Sequence, residues 1–309
     1  MPLRVSLLTD WFGIGERLRA EPGVELVDEL ADADAVVCNR LTEKDTKGAS
    51  RLRLVQALSA GADSIDRSAV PSGCTLCNAY EHEDAIGEWT LMAMLALTRN
   101  LLLYDRSLRR GEWAQPPLEH ELRGRTLGMV GHGHIARRAA ELARAFRMDT
   151  AAVTRSPRPE RAGGLAWLGG LGDVDRLLTE SDVVLIAMPL VAETEGLVGA
   201  RELDLLGPHG YLINPARAGI VVEGALYDAL RERRIAGAAL DVWWRYPRDG
   251  DEATPPSSLP FGELDNVVMT PHVSGRTTGT EDGRREFVVA QLRRLAAGEP
   301  LENVVTVAG

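Results

Sequence analysis

The 309-residue sequence lacks any uncharged apolar run of the roughly 18 residues that a bilayer-spanning helix needs, so no membrane span is expected. It also lacks an excess of basic charge. Its 35 Lys and Arg stand against 45 Asp and Glu, a net charge of −10. Nucleic acids and anionic membranes select a basic surface, so neither is expected as a partner. Cysteine is scarce, with three residues. Cys74 and Cys77 share a C-x-x-C spacing, but no second pair accompanies them and the surrounding TLCNA reads as a strand. They are expected to be strand thiols, and no metal site is expected. The N-terminal MPLRVSLLTD is broken by Arg4 and Asp10, unlike the apolar core of a secretory leader. A reduced, cytoplasmic protein is the resulting expectation.

What is present points to two domains. The chain is too long for one small core, and its 45% apolar content supports sizeable ones. Short strands are expected at residues 3–9, 24–27, 35–38, 52–58 and 75–78, with a helix at 17–21, an alternation that indicates a parallel sheet covered on both faces. From residue 83 to 113 the apolar positions take helical spacing without proline, which predicts one long helix crossing to a second domain. A second array of strands follows at 126–130, 150–154, 183–187, 210–214, 237–241 and 266–270. A last helix at 284–297 returns to the first domain. The fold class is therefore α/β, with two doubly wound parallel-sheet domains. Residues 1–96 with 284–309 form one and 97–283 the other, with a cleft between them that receives the carboxyl ends of the strands. The charged, proline-rich loop Arg245–Pro260 follows a strand end and is expected beside that cleft. The wide apolar surface of the 83–113 segment also suits a homodimer seam.

The stretch TLGMVGHGHIARRAA, Thr126 to Ala140, is the strongest local signal. A strand leads into Gly131-His132-Gly133, and a helix-like segment opens from Ile135. Gly131 permits the tight turn, Gly133 lets a pyrophosphate approach the backbone, and Ala136 takes the third small position of a G-x-G-x-x-A motif. The helix N-terminus offers N–H groups to phosphate. An NAD-specific domain usually places an acidic residue about 20 positions further on, against the ribose 2′-hydroxyl. Here the position holds Thr154, followed by Arg155 and Ser156. An arginine and two hydroxyls attract a 2′-phosphate, so NADP(H) is expected to be preferred, with NAD(H) also admitted.

Three later strand ends carry polar groups. Asn214-Pro215-Ala216-Arg217 brings an arginine that can hold a carboxylate bidentately. Asp241 ends the strand AGAALD and can accept from a nicotinamide carboxamide or a backbone turn. Thr270-Pro271-His272 brings a histidine suited to proton transfer near neutral pH.

Taken together, Leu58-Ser59-Ala60-Gly61-Ala62-Asp63, the glycine stretch, Met188-Pro189-Leu190 through Thr194, Asn214 to Gly219, Ala239 to Val242 and Thr270 to Gly275 resemble the D-isomer-specific 2-hydroxyacid dehydrogenase family. That family includes glyoxylate/hydroxypyruvate reductases, phosphoglycerate dehydrogenases and formate dehydrogenase. The resemblance runs the length of the chain. It implies a flavodoxin-like substrate domain, a Rossmann cofactor domain and hydride transfer between a nicotinamide and C2 of a small 2-oxo or 2-hydroxy acid. It implies that His272 is the acid/base, that Arg217 binds substrate, and that Ala60, Gly61 and Ala62 cradle its carboxylate. Gly131, Gly133, His134, Ile135, Pro189, Thr194, Asn214 and Asp241 fall at cofactor positions. Arg40, beyond the strand ending at Cys38, is a second candidate anion anchor. The family usually pairs its histidine with a Glu five residues after the aspartate. Here that residue is Tyr246, which joins the candidate catalytic set, and Glu81, His82 and Glu83 are alternative partners for His272. A corepressor-like cofactor-binding protein with little activity, or a dehydrogenase of another small anion, is the alternative reading.

Overall fold

The computed structural model describes residues 1–115, 119–158, 160, 162–247 and 254–305, and in it the chain divides into two compact units, Met1–His82 with Arg276–Gly309, and Glu83–Gly275. The first unit is built on strands β1 (Leu3–Leu7), β2 (Val24–Val27), β3 (Ala35–Cys38), β4 (Leu54–Ala57) and β5 (Thr75–Cys77). They form one parallel sheet in the order β2-β1-β3-β4-β5. Every residue of β3 and β4 is buried, the pattern of strands covered on both faces. Helix α1 (Ile14–Arg19) and the chain's last helix, Thr278–Ala297, pack their Leu18, Val288 and Leu292 onto the core that includes Val5, Val37 and Leu54.

The second unit opens with α2 (Glu83–Thr98) and α3 (Leu101–Arg109). It continues with β6 (Thr126–Val130), α4 (His134–Ala145), β7 (Asp149–Val153), β8 (Trp167–Gly169), α5 (Val174–Glu180) and β9 (Val183–Ile186). Then come α6 (Ala200–Leu206), β10 (Tyr211–Asn214), α7 (Glu223–Arg231), β11 (Gly237–Leu240) and β12 (Val267–Met269); the last helix is α8. Its seven-stranded parallel sheet runs β12-β11-β10-β9-β6-β7-β8. The strand order reverses between β6 and β9, so the crevice outside their carboxyl ends is the switch point where such sheets take ligands. The two sheets bear out the α/β, doubly wound expectation.

Three expectations are corrected. The long helix expected at 83–113 breaks at Asn100, which takes a left-handed φ of 48°. Both resulting helices belong to the second unit, because α2 packs along α4 and against β10, β11 and β12. The division accordingly falls after His82 rather than after residue 96, and at Gly275/Arg276 rather than at 283/284. Helix α8 also starts six residues earlier than its apolar spacing suggests, because Thr277 caps it by accepting the Thr280 N–H at 3.2 Å. Part of the loop Arg245–Pro260, residues 248–253, lies outside the described residues. Among the described residues no helix is long and apolar enough to cross a membrane, and no cluster of His, Cys, Asp and Glu is placed to hold a metal. Cys38, Cys74 and Cys77 are free thiols.

Candidate active site

The glycine turn lies at the switch point. Gly131 has a φ of +112°, and a Cβ built on it would sit 2.3 Å from the Ala187 carbonyl oxygen at the end of β9. Only glycine satisfies both constraints at once. Gly133 is different. A Cβ there meets nothing within 4 Å, which leaves open space in front of the first turn of α4. Gly133, the N-cap of α4, has no side chain to cap it, and the first N–H groups of a helix have no intrahelical acceptor. His134 and Ile135 occupy that first turn, with the His134 Nδ1 3.5 Å from the Glu83 carboxylate. An uncapped helix start facing open space, reached through a turn that no side chain fills, fits a dinucleotide pyrophosphate. Thr154, Arg155 and Ser156 follow β7, the neighbouring strand; Thr154 is half-buried and the other two are exposed.

Other residues expected at the cofactor shape loops. Thr194 is buried. Its hydroxyl donates to the Pro189 carbonyl at 2.8 Å and accepts the Val191 N–H at 2.8 Å, closing the turn that begins at exposed Pro189. Asn214, also buried, braces the next loop: its Oδ1 accepts the Ala216 N–H and its Nδ2 donates to the Arg217 carbonyl, each at 3.0 Å. Arg217 thus leaves the end of β10 on a fixed backbone, and its own Nη1 donates to the Ala216 carbonyl at 2.8 Å.

Asp241 is fully buried, and both of its oxygens serve the loop carrying His272. Oδ1 accepts the Thr270 hydroxyl at 2.6 Å and the Val273 N–H at 2.8 Å, and Oδ2 accepts the Ser274 N–H at 2.8 Å. Between these anchors His272 adopts a left-handed φ of 59°. Such a backbone costs about 1 kcal/mol outside glycine, and the three bonds to Asp241 hold it. Asp241 thus fills the backbone-turn role that the sequence allows it.

Tyr246 supplies the partner of His272. Its hydroxyl lies 3.0 Å from the His272 Nδ1 and accepts the Trp243 N–H at 3.2 Å. The two indoles fix this segment: Trp243 Nε1 donates to the Thr270 carbonyl at 2.9 Å, and Trp244 Nε1 donates to the Val221 carbonyl at 3.2 Å. Burial pushes the His272 imidazolium below its ordinary range; Asp241 opposes this and the Arg217 charge adds to it. The Tyr246 phenol is pushed up by burial, against the Trp243 N–H and Arg217. The second unit therefore brings Arg217, Tyr246 and His272 into one electrostatic environment, with Asn214 and Asp241 beneath them. The tandem tryptophans Trp243 and Trp244 tie this group together.

The remaining predicted residues lie in the first unit. Ala60, Gly61 and Ala62 follow β4 as a half-buried turn, which Ser59 and Asn78 close by donating to the Gly61 and Ala60 carbonyls at 2.8 and 2.7 Å. Arg40 is exposed just past β3. Of the alternative partners for His272, Glu83 lies beside His134, while Glu81 and His82 belong to the first unit.

Comparison with known proteins gives the family. Residues 91–274 match the family model described as the D-isomer specific 2-hydroxyacid dehydrogenase, NAD binding domain. A D-3-phosphoglycerate dehydrogenase of Methanocaldococcus jannaschii is 31% identical over 288 residues, which cover 91% of this chain and 53% of that protein. The chain thus spans about half the length of the phosphoglycerate dehydrogenases that it matches. A glyoxylate reductase of Thermococcus gammatolerans is 33% identical over 296 residues, covering 91% of this chain and 85% of the relative. Among solved structures, an acyclic imino acid reductase in complex with NADPH and D-Arg has the same fold, with a TM-score of 0.83, 23% identity, and 98% of this chain and 100% of that one covered. By its family-model match and its near-complete alignment with such relatives, the chain belongs to the D-isomer specific 2-hydroxyacid dehydrogenase family.

Proposed function

We propose that the protein is an oxidoreductase that uses a nicotinamide cofactor to interconvert a small 2-oxo acid and its D-2-hydroxy acid, with NADP(H) preferred. The observation that carries this reading is the placement of Arg217 and His272 on strand-end loops of one sheet, each loop braced by a buried side chain, Asn214 or Asp241. When bound, the cofactor supplies or takes up the hydride at substrate C2. The α4 N-terminus and Gly133 hold its pyrophosphate. Arg155, with the hydroxyls of Thr154 and Ser156, is offered to the 2′-phosphate, where a carboxylate would repel it. Arg217 binds the substrate carboxylate and stabilises charge developing on the C2 oxygen. His272 passes the proton to or from that oxygen. The 60–62 turn is the candidate carboxylate cradle of the first unit, and Arg40 is a candidate second anion anchor. The exposed Met92, Leu101, Leu108 and Trp113 support a homodimer seam on α2, α3 and the chain beyond them.

The test is a spectrophotometric panel of 2-oxo acids, from glyoxylate and hydroxypyruvate to larger homologues, with NADPH and NADH side by side. The expected result is turnover with at least one acid that is lost in His272→Ala, and a lower KM for NADPH than for NADH. Absence of turnover across the panel sinks the enzymatic reading, and an equal or lower KM for NADH sinks the cofactor preference.

A further inference from the structure

We propose that Tyr246 and His272 form a proton relay in which neutral His272 gives its Nε2 proton to the substrate oxygen while the Tyr246 hydroxyl replaces it at Nδ1. The relay deepens the reading above and rests on it. A carboxylate partner would serve the imidazole only by holding its charged form. A phenol can do something else.

The geometry begins at Trp243. Its N–H points at the Tyr246 oxygen from 3.2 Å, and that oxygen lies 3.0 Å from the His272 Nδ1. A phenol has one hydrogen. With the Trp243 N–H taking one side of the oxygen, a hydrogen donated to Nδ1 completes an unbroken chain, N–H to O–H to N. In the reverse arrangement Nδ1–H would have to donate into an oxygen that already accepts, and the phenol hydrogen would be left without the ring as acceptor. The first arrangement leaves the neutral ring with its proton on Nε2, the nitrogen turned away from Tyr246.

The surroundings favour the same state. Among the described residues, the charged groups acting on the ring are Asp241 and Arg217. Asp241 already holds three donors from the His272 loop. Arg217 and burial both disfavour a second positive charge on the imidazole. Burial keeps the resting Tyr246 a protonated phenol, with its proton available to Nδ1, while the Trp243 N–H and Arg217 offset part of that upward push; the residue is 46% exposed, so water can reach it.

The proton count closes in reduction. Substrate C2 accepts the hydride with its electron pair, and the carbonyl π pair moves onto the oxygen. That oxygen takes the Nε2 proton as Nδ1 takes the Tyr246 proton, leaving a neutral ring protonated at Nδ1 and a phenolate at Tyr246. An alkoxide is a far stronger base than a phenolate, whose conjugate acid has a pKa of about 10, so the net transfer runs downhill. After product leaves, the phenolate recovers its proton from Nδ1 as Nε2 takes one from solvent. Tyr246 acts through His272 and is the proton source of the pair.

Two measurements on the full chain test this. The first needs no substrate: a ring-directed 1H–15N correlation spectrum of the 15N-labelled protein at about pH 8, above the ordinary histidine range. The expected spectrum of His272 shows Nε2 protonated and Nδ1 as the acceptor, with that preference lost in Tyr246→Phe. A wild-type ring protonated at Nδ1 overturns the relay. The second is the pH profile of reduction. Wild-type kcat should hold to about pH 9, since the proton source is a phenol. Tyr246→Phe should match wild type where the imidazole is charged and then lose about tenfold per pH unit above its pKa. A wild-type profile that already falls near the imidazole pKa, or a Tyr246→Phe profile parallel to wild type at every pH, overturns the relay while leaving the proposed reaction standing. Absence of turnover with every acid removes the reaction and the relay together.

Discussion

Asp241 and Thr270 are joined by a 2.6 Å hydrogen bond at the root of the loop that carries His272, and the same carboxylate binds the N–H groups of Val273 and Ser274 just beyond it. A buried carboxylate here acts as a jig: it bends a loop around a left-handed histidine. Asp241→Asn turns one acceptor into an NH2 group, which must then face a backbone N–H. The expected cost is about 3 kcal/mol of stability, the penalty for leaving buried polar groups unmade. The expected fall in kcat is about a hundredfold, the usual consequence of a catalytic group displaced by an ångström. Urea denaturation and steady-state kinetics read the two effects. Wild-type kcat in a folded Asp241→Asn protein would show that the loop does not depend on this jig.

The two glycines of the phosphate turn make opposite predictions. Gly131→Ala meets both a positive φ and a carbonyl oxygen 2.3 Å from the new Cβ, so it should destabilise the protein by about 3 kcal/mol or more. Gly133 has an ordinary φ of −83° and nothing within 4 Å of a Cβ. Gly133→Ala should therefore fold normally while obstructing the open space in front of α4. The expected loss in NADPH affinity is about tenfold, as for one lost hydrogen bond to phosphate. Thermal denaturation and a fluorescence titration separate the two. A Gly133→Ala protein with unchanged affinity would place the pyrophosphate elsewhere.

Much of this arrangement is legible in the sequence, because the local signals and the fold agree. Strands buried on both faces, such as Val183–Ile186, read as unbroken apolar runs, and the Gly131–Gly133 turn is dictated by backbone geometry. What the sequence hides is decided between distant segments. Asn100 breaks a helix through a backbone conformation that asparagine tolerates, while the apolar spacing runs on undisturbed across it. Strand Trp167–Gly169 is too short and too glycine-rich to announce itself. The Tyr246 partnership with His272 spans 26 positions, and it exists because the Trp243 and Trp244 indoles pin the residues leading into Tyr246 to the Thr270 and Val221 carbonyls. Replacement of the expected acid is visible in the sequence; that the replacement itself binds the histidine is visible only in three dimensions.

The proposed dimer makes its own prediction. Leu101 and Leu108 are 56% and 53% exposed on α3, and Trp113 is 84% exposed just beyond it. Large apolar side chains grouped in this way on an otherwise charged surface mark an interaction face. The double substitution Leu101→Glu with Leu108→Glu places charge on that face without touching the cores of the unit. Sedimentation velocity should show wild type as a dimer and the variant as a monomer with unchanged circular dichroism. A dimer that survives the substitution would put the interface elsewhere.

Acid sensitivity of the first unit should trace to Glu21. Its buried carboxylate accepts Nε and Nη2 of Arg293 at 2.6 and 2.9 Å and Nη1 of Arg17 at 2.8 Å, tying the end of α1 to α8. The Arg293 bonds, and after them Arg17, hold the carboxyl below its ordinary value of 4.5, against the burial that would raise it. With the folded pKa depressed, the unfolded chain binds the proton more tightly, so stability falls as protons are supplied. The contribution is complete above that ordinary value, which the unfolded chain keeps, and is lost as pH falls through it towards the folded pKa. Glu21→Gln keeps the shape and removes the charge. At pH 7 it should be less stable than wild type by about 2 kcal/mol, the range for hydrogen bonds to charged groups. Urea midpoints measured from neutral pH downward should show that gap closing below the unfolded pKa, as the wild-type carboxyl becomes protonated. A gap that stays constant across the same range would mean that the Glu21 charge does not stabilise the contact between α1 and α8.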